Sequence, residues 1–173
     1  MVKDNPESEG TMEHTEIPQT AFKRILFCTD LSENADFAFS FAVDAAIRRP
    51  GSELYLLHVI PESDSQFWKT YIYEVEGVDV KAREDLDKRI QQAYTSRLPA
   101  DMEMTIQFRI GTDHEEILDF AREKQIDLIV MGRQGHGSLR KTFFGKVTEK
   151  VARKADCAVL VIPLSYQKKL EKD

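Results

Sequence analysis

An open parallel α/β sheet with helices on both faces is the fold class this sequence predicts, and two observations predict it. Five short apolar runs alternate with four longer stretches in which apolar residues return every three or four positions, the respective signatures of buried strands and amphipathic helices. The helical stretches supply the crossovers that parallel strands require, and right-handed crossovers lay helices over the sheet. Composition agrees with a single core. The chain has 173 residues, 42% hydrophobic and 31% charged, with 8 Gly and 6 Pro, or about 1.2 average domain lengths.

The first strand is Arg24 to Thr29 (RILFCT), bounded by Asp30. Ser32 is placed to cap a helix whose inward residues are Ala35, Ala38, Phe39, Ala42, Val43, Ala46 and Ile47, stopped by Pro50 and Gly51. Glu53 to Ile60 (ELYLLHVI) forms the second strand, and Pro61 ends it. An excursion to about Val78 leads into a charged helix from Val80 to Leu98, stopped by Pro99. Glu103 to Ile110 is the third strand; Gly111 turns the chain, and Thr112 or Asp113 caps a helix with Ile117, Leu118, Phe120 and Ala121 inward, running to Lys124. The fourth strand is Asp127 to Met131 (DLIVM). A glycine-bearing loop then precedes a last helix, striped by Phe144, Val147, Val151 and Ala155, and the fifth strand is Cys157 to Ile162 (CAVLVI). Residues 1–20 carry five acids against Lys3 and read as a disordered acidic tail, residues 21–165 as the domain, and residues 166–173 as a polar C-terminal tail.

Charge excludes whole classes of partner. With 24 Lys and Arg against 30 Asp and Glu, the net charge is −6, so no generalised attraction to nucleic acid or anionic lipid is expected. No apolar run approaches the roughly 18 residues of a membrane span, and no apolar signal core opens the chain, which reads as cytoplasmic. Cys28 and Cys157 lie in separate apolar runs and read as buried reduced thiols. Of the histidines, His58 reads as structural, His114 as first-turn surface and His14 as part of the tail. No Ser-His-Asp, Cys-His or paired-carboxylate set assembles from these residues, so neither a catalytic residue nor a protein-borne metal site is assigned.

One segment opposes the general acidity. From Gly132 to Lys154, seven cations face the single Glu149, although the chain as a whole is −6. Lys150, Arg153 and Lys154 suit the end of a helix, where cations complement the dipole. Arg133, Arg140, Lys141 and Lys146 are interleaved with Gly132, Gly135, Gly137 and Gly145 between the fourth strand and that helix. Glycines let main-chain N–H groups approach a ligand, and a helix N-terminus favours an anion. Lys146 in a first turn opposes the dipole unless an anion lies between them, or it points into water at little cost. Neither standard phosphate fingerprint is present: Arg140 stands where both need glycine, and Val147 where the P-loop needs a hydroxyl.

The run DLIVMGRQGHGSLRKTFFGKVTEKVARKADCAVLVIP resembles the C-terminal half of the universal stress protein (universal stress protein A) family, and ILFCTDLSENA resembles its first strand and turn. Gly132, Gly135 and Gly145 keep the glycine spacing of the family's nucleotide-binding members, while Lys146 replaces their Ser or Thr. The resemblance covers about Phe22 to Pro163. It implies a Rossmann-like sheet of order 3-2-1-4-5, of the adenine nucleotide alpha hydrolase-like kind, with ligands at the switch point between strands one and four. It further implies that Thr29, Asp30 and Val59 hold adenine and ribose of ATP, and that Met131, Gly132, Arg133, Gly135, Gly145, Lys146 and Val147 hold the phosphates, with Mg²⁺ reached through them. The implied role is a cytosolic homodimeric stress-response regulator with at most slow ATP hydrolysis. A dimer that binds no nucleotide is the alternative.

Some residues keep two readings. Asp30 serves a ribose, an adenine amine or a phosphate-bound ion, or caps the loop into the first helix. His136 touches phosphate or is solvated. Phe67, Tyr71, Val75 and Val78 share a helical face that forms a lid or a packing cover. Strand five carries no charge over Ala158, Val159, Leu160, Val161 and Ile162, so an edge there is expected to pair with a second copy. A nucleotide-processing enzyme on this fold would show an HxGH or SGGxDS first loop, whereas this loop reads CTDLSENA.

Overall fold

The structure is a computed structural model that describes residues 22–62, 80–134 and 145–171, with side chains in the second stretch from Asp85 onward. Its elements are β1 (Arg24–Cys28), α1 (Glu33–Ile47), β2 (Glu53–Pro61), α2 (Val80–Ala93), β3 (Met104–Gly111), α3 (Asp113–Glu123), β4 (Leu128–Gly132), α4 (Lys146–Lys154), β5 (Ala158–Ile162) and α5 (Gln167–Leu170). Short 3₁₀ turns occupy Thr95–Arg97 and Leu164–Tyr166. The five strands form one sheet in the order β3-β2-β1-β4-β5, and every adjacent pair is parallel.

Strand alternation divides the core into two layers. Ile25, Phe27, Leu54, Leu56, Leu128 and Val130 face α1 and α2, meeting Ala38, Phe39, Ala42, Leu86 and Ile90. Leu26, Cys28, Leu57, Val59, Ile129 and Met131 face α3 and α4, meeting Ile117, Leu118, Phe120 and Val151. Phe27, Phe39 and Tyr94 pack edge-on or tilted at 5.1, 5.2 and 5.0 Å between ring centroids, geometry worth about 0.5–1.5 kcal/mol per pair beyond the area buried.

The strand and helix expectations are met to within a residue or two at most boundaries, and the differences have causes. The charged helix ends at Ala93 and not Leu98 because Tyr94 leaves helical geometry, at φ −129° and ψ −60°, to bury its ring in the first layer. Ile47, expected to face inward, is 54% exposed, because it is the last residue of α1 and Ala46 beside it takes the buried position of the final turn. His114, expected on the surface, is buried: position two of α3 faces the core. Cys28 is buried and Cys157 only half-buried, and both are free thiols. The tail reading of residues 1–20, the aromatic face at Phe67, Tyr71, Val75 and Val78, and Gly135, His136, Gly137, Arg140, Lys141 and Phe144 lie outside the described residues.

Candidate functional site

β1 sits between β2 and β4, with Cys28 opposite both Leu57 and Met131. From the carboxyl end of β1 the chain turns into α1 on one face; from that of β4 it proceeds to α4 on the other. The connections part at this point and leave a crevice beyond the strand ends.

The β1 side is a turn held by polar bonds. Leu31 has φ 61°, left-handed backbone that costs a non-glycine residue about 1–2 kcal/mol. Three contacts keep it there. The Thr29 hydroxyl accepts from Leu31 N–H at 2.8 Å, the Arg89 guanidinium donates to the Leu31 carbonyl at 2.6 Å, and the Asp30 carboxylate accepts from Ser32 N–H at 3.1 Å. Ser32 then caps α1 by accepting from Ala35 N–H at 3.3 Å. Asp30 thus performs the capping role while its side chain remains exposed.

Thr29 itself is spoken for. Tyr94 donates its hydroxyl proton to Asp36 at 2.6 Å, so it accepts from Thr29 in the 2.6 Å bond between the two hydroxyls. Burial, with the Asp36 carboxylate next in weight, pushes the Tyr94 phenol well above its ordinary range. The Thr29 carbonyl is taken by Nδ1 of His58 at 2.8 Å. Burial holds the His58 imidazolium below its ordinary range, against the opposing pull of that bond and of Asp30 and Asp113. Asp113, at the start of α3, is pushed up, mainly by burial.

Val59 lies just beyond the β1 ladder, which ends at the Cys28–Leu57 pair and one last bond from Thr29 N–H to the Leu57 carbonyl at 3.0 Å. Main-chain groups alternate sides along a strand, so Leu57 and Val59 both present N–H and C=O toward β1. Val59 N–H makes no main-chain bond to Thr29, the residue that follows β1.

On the β4 side, Met131 is buried and Gly132 closes the strand. Arg133 N–H bonds the Ile162 carbonyl at 2.9 Å, and Gly145 N–H bonds the Arg133 carbonyl at 2.8 Å, which brings the two ends of the intervening loop together. Gly145 is the N-cap of α4, at φ −61° and ψ 147°, without a side-chain cap. The Thr148 hydroxyl donates to the Gly132 carbonyl at 3.0 Å and fixes the first turn of α4 to the strand end. Lys146 is exposed in that turn, and Val147 packs against the second layer. The first-turn N–H groups of Lys146, Val147 and Thr148 have no partner within the helix by its geometry.

The structure therefore gathers Thr29, Asp30, Val59, Met131, Gly132, Arg133, Gly145, Lys146 and Val147 along the carboxyl edge of β2, β1 and β4. Sequence reasoning missed Tyr94, Arg89, Asp36 and Thr148. Only Thr148 had a local signal, a hydroxyl on the inward stripe of its helix. Among the described residues, no group of three or more His, Cys, Asp or Glu is placed to hold a metal ion, and no helix is long and apolar enough to cross a membrane.

A doubly wound parallel sheet with a carboxylate after β1 and a glycine-capped helix after β4, both at the switch point, defines a Rossmann-like α/β domain. The chain belongs to the universal stress protein family, whose family model matches residues 21–163. It is 30% identical over 155 residues to universal stress protein MJ0577 of Methanocaldococcus jannaschii, spanning 82% of this chain and 94% of that relative. The solved structure of MJ0577 superposes with a TM-score of 0.67 at 28% identity, covering 83% and 96% of the two chains. Universal stress protein UspA from Lactobacillus plantarum follows at 0.62 and 26%, covering 82% and 97%. A universal stress protein in complex with cAMP shares the fold, with a TM-score of 0.54 at 18% identity and coverage of 83% and 98%.

Proposed function

We propose that the switch-point crevice binds ATP and that the chain acts as a nucleotide-dependent stress-response regulator in the cytoplasm, as a homodimer, with no more than slow hydrolysis. The observation that carries this reading is the meeting, at one sheet edge, of two groups with opposite tastes. The main chain of Val59 offers a donor beside an acceptor, which suits the 6-amino and N1 of adenine. The first turn of α4 offers N–H groups, a dipole and the Lys146 ammonium, which suit phosphates.

Asp30, exposed at the turn, is the acceptor for ribose hydroxyls. Thr29 contributes by shaping the turn, since its hydroxyl and carbonyl are already engaged. Met131, Gly132, Arg133, Gly145, Lys146 and Val147 are assigned to the phosphate side, and Gly135 joins them on the glycine spacing of the sequence alone. Mg²⁺ would be held chiefly by phosphate oxygens, with the Asp30 carboxylate as a hard oxygen ligand from the protein. A second copy is assigned to β5, an edge strand with one free side whose Leu160 is 37% exposed.

Calorimetric titration of the purified protein with ATP, with and without Mg²⁺, tests the assignment. Saturable binding that adenosine competes away supports it. Failure of ATP to bind in either condition leaves the alternative, a dimer without a nucleotide.

A further inference from the structure

The β1–β2 ladder stops one rung short of what the register would allow, and a side chain occupies the acceptor of the missing rung. Thr29 N–H donates to the Leu57 carbonyl at 3.0 Å. In a continuing parallel ladder the next bond runs from Val59 N–H to the Thr29 carbonyl. That carbonyl instead receives Nδ1–H of His58, one residue earlier on the same strand, at 2.8 Å. Because a carbonyl oxygen only accepts, Nδ1 carries the proton. Packing holds the ring in place for this bond, since it is half-buried and meets Phe108 edge-on, at 6.2 Å and 85°.

We propose that His58 is a positioning residue that keeps the Val59 main chain open to the base of the ligand by occupying the Thr29 carbonyl. This rests on the reading of the crevice as a nucleotide site. Without the imidazole, the Thr29 carbonyl would be a partly buried acceptor in want of a donor, and the donor that the register of the ladder assigns to it is Val59 N–H. Closing that bond would consume the donor intended for the base. His58 thus uses a side chain to spare a main-chain group, and it does so from the face of the sheet opposite Leu57 and Val59.

Two variants separate the hydrogen bond from the bulk of the ring. His58→Asn places an amide N–H close to the position of Nδ1, and His58→Leu retains volume without a donor. Full-length variants are titrated with adenosine and with inorganic tripolyphosphate, and Val59 amide hydrogen exchange is followed without ligand. His58→Leu should weaken adenosine by roughly ten-fold, the scale of one hydrogen bond, leave tripolyphosphate unchanged and slow exchange at Val59. His58→Asn should restore both readouts. Wild-type adenosine affinity in His58→Leu, or equal loss in the two variants, overturns the proposal. If wild type binds no nucleotide, the nucleotide reading fails separately; exchange at Val59 still decides the positioning role, and unchanged exchange in His58→Leu overturns it.

Discussion

Gly132 lies against the backbone of Asn34: a Cβ at Gly132 would stand 3.0 Å from both the carbonyl carbon and the carbonyl oxygen of Asn34. The last residue of β4 and the first turn of α1 therefore touch main chain to main chain. This contact accounts for a glycine at 132 without reference to any ligand.

Gly132→Ala must push α1 or the end of β4, and neither yields easily, because α1 is capped at Ser32 and the Gly132 carbonyl is bonded to Thr148. Overpacking of this kind costs about 1–3 kcal/mol. Chemical denaturation should show that loss, with nucleotide affinity falling in parallel. A denaturation midpoint equal to wild type would mean that α1 slides freely.

Tyr94→Phe removes the hydroxyl between Thr29 and Asp36 while preserving the aromatic packing with Phe27 and Phe39. The cost should be about 1–3 kcal/mol, since it orphans groups at a largely buried site. Adding Thr29→Val should cost less than the sum of the single changes, because both variants break the same bond. Strict additivity in urea unfolding would contradict the link.

Stability should depend on pH through His58. Its folded-state pKa lies below the ordinary 6.5, chiefly from burial, so the unfolded chain takes up the proton first. The contribution of the neutral ring is then fully present above about pH 6.5 and is lost as pH falls below that value. Asp30 and Asp113 pull the imidazole toward the charged form and Arg89 pushes it away. Asp113 has the opposite sign, being raised by burial, but it titrates from the carboxylate range upward. The thermal midpoint should drop on acidification from about pH 7.5 to about pH 5.5, and His58→Asn should flatten the drop. An identical slope in the variant would assign the effect to other groups.

Lys146→Glu reverses a charge in the first turn of α4, where Lys146 is exposed. ATP affinity should fall by about ten-fold at low salt and less at high salt, with adenosine unaffected. Equal losses for both ligands would remove Lys146 from the phosphate side.

Val161→Asp places a carboxylate on the next-to-last residue of β5, which is half-buried in one copy. Sedimentation should show monomers where wild type shows dimers. An unchanged profile would locate any self-association elsewhere.

Sequence periodicity alone determined the five strands and the helices that flank them. Strand alternation and three-and-four spacing are local consequences of burying one face, and Ala35, Phe39, Ile117, Leu118 and Val151 all fall where that spacing puts them. The glycines and cations from Gly132 to Lys146 marked the β4–α4 side of the candidate site for a related reason: they are contiguous in the chain.

What only the tertiary structure decided is how the β1 turn is held. Thr29 meets Tyr94 across 65 residues, Leu31 meets Arg89 across 58, and Thr29 meets His58 across 29. None of these pairs leaves a periodic trace, since each partner is one polar residue on an otherwise ordinary element. The left-handed Leu31 was equally invisible, because a bulky aliphatic side chain gives no sign of φ 61° until its neighbours' hydrogen bonds are known. Local sequence encodes which face of an element is buried; which buried polar group finds which partner depends on where the folded sheet brings them.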